Sequence, residues 1–222
     1  MWSEQERIDF YNVQIGQITP ETESGKLLMD CISENAATLH TVLEIGTWNG
    51  LGSTTCILQA LQGRQTRFIS LEINREKQVR AQANVVGLLQ PNTELVWGSV
   101  LRPEDIVDVE ALFPELDTHS VLQEWHSIDL ANLAQAPYVY DQLPTEIDFI
   151  LFDGGEFTTF FEFEKLFPHC NRFIALDDIH TSKCKWIYEF MKGNPAWKGV
   201  GYTEERNGFA IFQRISMDSF SP

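Results

Sequence analysis

Five acids stand where short apolar runs give way to turns: Glu44 in TVLEIG, Glu72 in RFISLEI, Asp153 in IDFILFDGG, and Asp177 with Asp178 in RFIALDDI. An acid at the end of an apolar run is costly without a partner, so each calls for a donor or a cation. Glu44 precedes a loop, Gly46-x-x-x-Gly50-x-Gly52, that lacks the GxGxxG spacing of dinucleotide folds. An acid there opposes a pyrophosphate and suits a ligand bearing an ammonium or sulfonium charge. Glu72 is placed to accept hydrogen bonds from both ribose hydroxyls of an adenosine. Its neighbour Ile73 would cover one adenine face, and Ser99 would reach the adenine edge.

If the runs holding Asp153 and the Asp177-Asp178 pair are adjacent parallel strands, three carboxylates converge at one place. Like charges crowd there unless a proton or a cation relieves them. Magnesium suits three hard oxygen ligands with positions left for water and substrate oxygens. In a second reading, Asp177 and Asp178 cap the following helix while Asp153 meets the ligand's ammonium through water.

The elements that would carry these acids alternate. Short apolar runs and helical patterns follow each other nearly end to end, the signature of strand-helix-strand units and a parallel sheet. ITPETESGKLLMDCISENAA predicts a leading helix with Thr19 as N-cap and Pro20 in the first helical position. Helices are expected from about Ser53 to Leu61, over NREKQVRAQANVVG, over TTFFEFEKLF and over SKCKWIYEFMKG, the last closed by Gly193. TELVWGSV reads as the third strand. Asn207-Gly208, between apolar segments, predicts an antiparallel edge hairpin, because both residues tolerate positive φ.

The exception is the stretch between Ser99 and Ile147, longer than an ordinary crossover and leaving the edge where open α/β sheets bind ligands. It reads either as a lid, about residues 100–146, or as a helix pair decorating the sheet. His119, His126, Trp125, Tyr138 and Tyr140 lie in it, either lining an acceptor pocket or anchoring the insertion.

The 222 residues suit a single domain, 1–222, with a leading helical segment of about 1–40. Sixteen basic against thirty-two acidic residues give a net charge of −16, which repels phosphodiester backbones and anionic lipid. Neither nucleic acid nor membrane is an expected partner, and a homodimer is left open. Cys31, Cys56, Cys170 and Cys184 form no metal or disulfide pattern and read as buried thiols. With no apolar run near the ~20 residues of a membrane span and a charged start, the expected setting is cytoplasmic.

Over residues 19–214 the sequence resembles the class I S-adenosylmethionine-dependent methyltransferases. LEIGTWNGLGST is similar to their first motif, SLEINRE to the second, Gly98-Ser99 to the adenine-side turn, and FDGG and ALDDI to the fourth and fifth strand ends. The leading helix resembles the catechol and caffeoyl-CoA O-methyltransferase branch. The resemblance implies a Rossmann-like, doubly wound α/β sheet of seven strands, mostly parallel with an antiparallel C-terminal hairpin strand, and helices on both faces. It places the methionine end of S-adenosylmethionine over Gly46, Thr47, Trp48 and Ser53, with Gly50 in the same loop, and the adenosine end at Glu72, Ile73, Gly98 and Ser99. Trp48 reads equally as plain core.

Matched to the metal-dependent members, Asp153, Asp177 and Asp178 would hold Mg2+ or another divalent cation. That ion would orient an acceptor hydroxyl and lower its pKa, and in-line transfer would rest mainly on positioning. Where those relatives carry Lys or His as base, this chain has Glu156, with His180 as the second candidate and Asp178 beside the reacting atoms. The implied activity is O-methylation of a small molecule or a glycan sugar. The alternatives are metal-independent O- or N-methylation, a nicotinamide oxidoreductase, and a non-catalytic nucleoside-binding module.

Overall fold

The computed structural model describes residues 16–117 and 119–215, so residues 1–15 of the expected leading segment lie outside the described residues. Thr22 opens the first helix, α1 (Glu23–Asn35), by accepting the backbone N–H of Gly25 at 3.1 Å. The helix starts later than a Thr19 cap with Pro20 implies. The Thr19 carbonyl is taken by the Thr22 N–H and hydroxyl, which closes a turn before the helix rather than its first turn.

Alternation then proceeds through β1 (Thr41–Ile45), α2 (Ser53–Ala60), β2 (Arg67–Glu72), α3 (Arg75–Asn84) and β3 (Thr93–Trp97). Asn74 caps α3 by accepting the Lys77 N–H. The insertion carries a short helix, α4 (Val109–Leu112), and a long one, α5 (Ser120–Gln135). After it come β4 (Ile147–Phe152), α6 (Thr159–Leu166), β5 (Cys170–Asp177), α7 (Lys185–Gly193), β6 (Trp197–Thr203) and β7 (Phe209–Arg214).

The seven strands lie in the order β3-β2-β1-β4-β5-β7-β6. β1 to β5 are parallel, and β7 slots antiparallel between β5 and β6. This is the doubly wound, mostly parallel sheet expected of the sequence. Strand order reverses between β1 and β4, so the crevice of such a sheet opens at their carboxyl ends.

Helices cover both faces, and the strands accordingly read as continuous apolar runs. Leu43, Ile45, Ile150, Phe152 and Ile174 pack on one face with Phe113, Leu116 and Leu133 of the insertion. Val42, Phe68, Phe149, Leu151 and Phe173 pack on the other with Leu28, Ile32 and Ile57. Alternation along β1 therefore sends Glu44 to the same side as Val42.

The insertion is bound to the sheet at its far end. Ser99 pairs with Tyr138 in a parallel bridge, the Ser99 N–H donating to Pro137 and the Val139 N–H to Ser99, both at 2.9 Å. The Val139 side chain fills the space that a Cβ on Gly98 would need.

The terminal hairpin is wider than a two-residue Asn-Gly turn. Residues 204–208 join β6 to β7, and positive φ falls on Arg206 and Gly208 but not on Asn207. Asn207 instead donates its side-chain amide to Asp178 Oδ1 at 2.9 Å, which draws the loop over the tip of β5. Among the described residues no helix is long and apolar enough to cross a membrane.

Candidate functional site

A cavity of about 390 Å³ opens at the β1–β4 switch point. Its floor is the first turn, Gly46 to Trp48, with Gly52 and Ser53 at the start of α2. Gly46 has φ 97°, and a Cβ there would lie 2.0 Å from the Asp153 carbonyl oxygen, so this close crossing of two strand ends requires glycine. Glu72, Ile73, Gly98 and Ser99 line one end, and Asp153, Asp177, Asp178 and Lys183 the other. Ile128, Asp129 and Asn132 of α5 line it as well.

Glu72 is 6% exposed and grips the loop that forms the floor. Its Oε2 accepts the Trp48 N–H at 2.7 Å and its Oε1 the Asn74 N–H at 2.8 Å. Each oxygen keeps a lone pair for a further donor. Burial raises its pKa, opposed by the charge of Lys77 and by those two backbone donors.

Glu44 is placed differently from the sequence expectation. It is fully buried and absent from the residues lining the cavity, and its carboxylate accepts the hydroxyls of Ser53 (2.6 Å), Thr54 (2.7 Å) and Ser70 (2.5 Å). Strand alternation turns it under the loop, toward α2, so no ligand charge answers it directly. Burial lifts its pKa to about 7 despite the three donors. Gly50 also lies outside the lining: its φ is 79°, and it packs against Ala81 of α3 and Val85 just past its end.

Asp153, Asp177 and Asp178 do converge, offering ligand atoms within 4.8 Å of one another. Between them lies a group that the sequence reading passed over. Lys183 Nζ is 2.8 Å from Asp153 Oδ1, 2.6 Å from Asp178 Oδ2 and 3.7 Å from Asp177 Oδ2, and its side chain is 5% exposed. Burial opposes the ammonium, yet the three carboxylates hold its pKa well above the ordinary lysine value. Burial, then the neighbouring Asp153, keeps Asp177 well above the carboxylate range, while Lys183 overcomes burial at Asp178 and lowers it.

The expected divalent ion does not fit this arrangement. Magnesium needs oxygen ligands at about 2.0–2.1 Å, and the space between the three carboxylates is filled by an ammonium. A double and a single positive charge about 3 Å apart repel by on the order of 10 kcal/mol even at an effective dielectric constant near 20. The carboxylates were legible in the sequence. Their counter-ion was not, because Lys183 in SKCKWIYEFMKG reads as the start of a helix that in fact begins at Lys185.

Glu156, the expected base, sits beside the cluster but outside the cavity lining, its Oε1 accepting the Lys183 backbone N–H at 3.1 Å, with burial raising its pKa. His180 points elsewhere: its Nε2 pairs with Glu204 at 2.8 Å on an exposed surface, and its ring packs on Gly208. Tyr138 and Tyr140 form part of a polar anchor with Arg102, Lys165 and His169 rather than of the cavity wall. Trp125 is half exposed on α5, and the His126 ring packs on Phe157.

Two further acids were missed. Glu162, between Phe161 and Phe163 on the buried face of α6, lines the cavity with an Oε2 that has no hydrogen-bond partner. Burial, then the charges of Asp129 and Glu72, raises its pKa to about 8. Asp129 lies near the main-chain N–H of Phe157, at 3.4 Å. The pairing of Asp129 with Asn132 one helical turn on was a usable signal that one face of α5 is polar.

No family model matches the sequence, and no curated protein does. Solved structures do. An O-methyltransferase from Bacillus cereus in complex with SAH superposes with a TM-score of 0.59 at 16% identity, over 92% of this chain and 85% of that one. The chain has the class I methyltransferase fold. Cofactor-bound Rv0187 from MTB matches with a TM-score of 0.57 at 17% identity, over 90% and 84% of the two chains. TomG from Streptomyces achromogenes, an O-methyltransferase of tomaymycin synthesis in complex with SAM, matches with 0.54 at 13% identity, over 97% and 100%. In this methyltransferase fold the order of the lining groups follows the sheet: the first turn over β1, Glu72 at the end of β2, Ser99 after β3, and the acids after β4 and β5.

Proposed function

We propose that the protein transfers the methyl group of S-adenosylmethionine to a hydroxyl oxygen of a small molecule or a glycan sugar. The observation that carries this reading is Glu72, a buried acid that lines the cavity between the first turn and the β3 turn with a lone pair open on each carboxylate oxygen. That is the place and chemistry for a ribose diol. Ile73 and Ser99 would take the adenine, Gly46 to Trp48 the methionine backbone, and Asp153 its ammonium.

Charge supports the same ligand. Glu72, Asp129, Asp153 and Asp178 line the cavity against Lys77 and Lys183, with Glu162 and Asp177 favoured in their neutral form, an excess of acid that favours a sulfonium and disfavours the pyrophosphate of a dinucleotide. A donor held this way would present its methyl toward the β4 and β5 tips. The acceptor oxygen forms a bond to the methyl carbon as the carbon–sulfur bond breaks with its pair to sulfur, and the hydroxyl proton passes to Glu156. The rate gain comes mainly from holding oxygen, carbon and sulfur in line. The face of α5 bearing Ile128, Asp129 and Asn132 serves as the cover.

Titration with S-adenosylhomocysteine and with NAD by calorimetry tests the cofactor: micromolar binding of the first and none of the second is expected. A screen of sugars and catechols with methyl-labelled donor then tests the transfer. Binding of NAD, or indifference to both nucleosides, removes the reading.

A further inference from the structure

We propose that Lys183 supplies, from within the chain, the positive charge that holds the acceptor oxygen at the strand-tip acids, in place of a divalent ion. The inference rests on the methyl-transfer reading for the identity of the acceptor. Its geometry stands independently.

An ammonium has three N–H donors. Two are engaged, with Asp153 Oδ1 at 2.8 Å and Asp178 Oδ2 at 2.6 Å, while Asp177 Oδ2, at 3.7 Å, lies beyond hydrogen-bond reach. Among the described residues no third acceptor lies within hydrogen-bond distance of Nζ, and Lys183 belongs to the cavity wall. A buried donor left unmade is costly, so the site favours a ligand oxygen there.

The residue is held for this placement. After β5, Asp178 adopts φ 54° and turns the chain back, and the Thr181 N–H donates to the Asp178 carbonyl. The Lys183 N–H is then gripped by Glu156 Oε1 at 3.1 Å, which ties the loop to the end of β4. Asn207 fixes the second oxygen of Asp178, leaving its partner oxygen to the lysine. These contacts fix the loop from which the ammonium reaches Asp153 and Asp178 at the cavity wall.

The function is the one an ion would have there: a fixed positive charge beside the acceptor oxygen. A lysine differs in that chelators do not remove it.

Mn2+ binding, followed by the loss of its free-ion paramagnetic resonance signal, tests the proposal on the wild-type chain and on Lys183→Met and Lys183→Arg. Calorimetry with S-adenosylhomocysteine runs on each. The wild type should bind no Mn2+ at up to about millimolar concentration, the threshold of weak oxygen-ligand sites. Methyl transfer to the best hydroxyl probe should be equal in magnesium and in EDTA. Lys183→Met should still bind S-adenosylhomocysteine, lose kcat by about 100-fold, as expected of lost positioning, and take up Mn2+ that the wild type refuses. Lys183→Arg keeps the charge, guards against a misfolded Met variant and should retain part of the activity. Stoichiometric Mn2+ on the wild type, activity abolished by EDTA, or undiminished turnover by Lys183→Met would each overturn the proposal. Failure of the wild type to bind S-adenosylhomocysteine would instead remove the methyl-transfer reading, and the Mn2+ titration would still decide the lysine's role.

Discussion

Ser53, the first residue of α2, donates its hydroxyl to Glu44 Oε1 at 2.6 Å, so the acid of β1 anchors the helix that follows the first turn. Thr54 and Ser70 donate to its other oxygen. What looked like an acid waiting for a ligand is a buttress under the loop that meets the ligand.

Glu44 should leave a signature in the pH dependence of stability. Its pKa rises from 4.5 to about 7 on folding, chiefly through burial, so the folded state binds more protons than the unfolded one between those values. Stability from this group is complete below about pH 4.5 and is lost as pH rises through about 7, by about 3 kcal/mol in all. Urea unfolding across that range should show the decline in the wild type and a flatter curve in Glu44→Gln. Identical slopes in the two would show that Glu44 is not responsible.

Glu72→Ala removes the acceptor for the Trp48 and Asn74 N–H groups together with the proposed ribose partner. Charge-assisted hydrogen bonds contribute about 1.5–3 kcal/mol each, so S-adenosylhomocysteine affinity should fall by roughly 10- to 100-fold. Calorimetry decides it. An unchanged affinity would place the ribose elsewhere.

At Gly46, any side chain meets the Asp153 carbonyl at 2.0 Å in a backbone region that favours glycine. Gly46→Ala must push β1 and β4 apart at their ends. A loss of more than about 1 kcal/mol in stability is expected from the backbone strain alone, together with weakened nucleoside binding. Thermal unfolding with and without S-adenosylhomocysteine measures both, and a wild-type midpoint in each condition would contradict the close crossing.

Asn132 of α5 accepts from the Asn74 side chain at 3.0 Å, joining the insertion to the loop after β2. Asn132→Ala should cost about 0.5–1.5 kcal/mol of this closure, seen as faster release of S-adenosylhomocysteine in stopped-flow with little change in urea midpoint. Release at the wild-type rate would mean that α5 decorates the sheet without covering the cavity.

Strand positions, and the acids near their ends, were readable because they depend on local pattern: apolar runs of strand length, broken by glycine and acid, alternating with helical spacing. The sheet's direction of travel then placed Asp153, Asp177 and Asp178 together. The start of α1 was misread because Thr19 and Thr22 are both competent caps, and only the hydrogen bond from Gly25 selects between them. The hairpin at Asn207-Gly208 was legible, but its turn is wider, because Asn207 bonds Asp178 rather than its own turn.

The amino-acid sequence by itself determined the sheet, its switch point and the acidic rim, since periodicity and the residues that end each strand are properties of neighbours along the chain. Only the tertiary structure decided which acids face the cavity and what neutralises them. The alternation of β1 turned Glu44 inward, and the reversal after β5 carried Lys183 to the end of β4. Both outcomes depend on where separate segments meet in space. A buried charge is defined by that meeting, because its cost and its partner exist only once the surrounding water has been replaced by other parts of the chain.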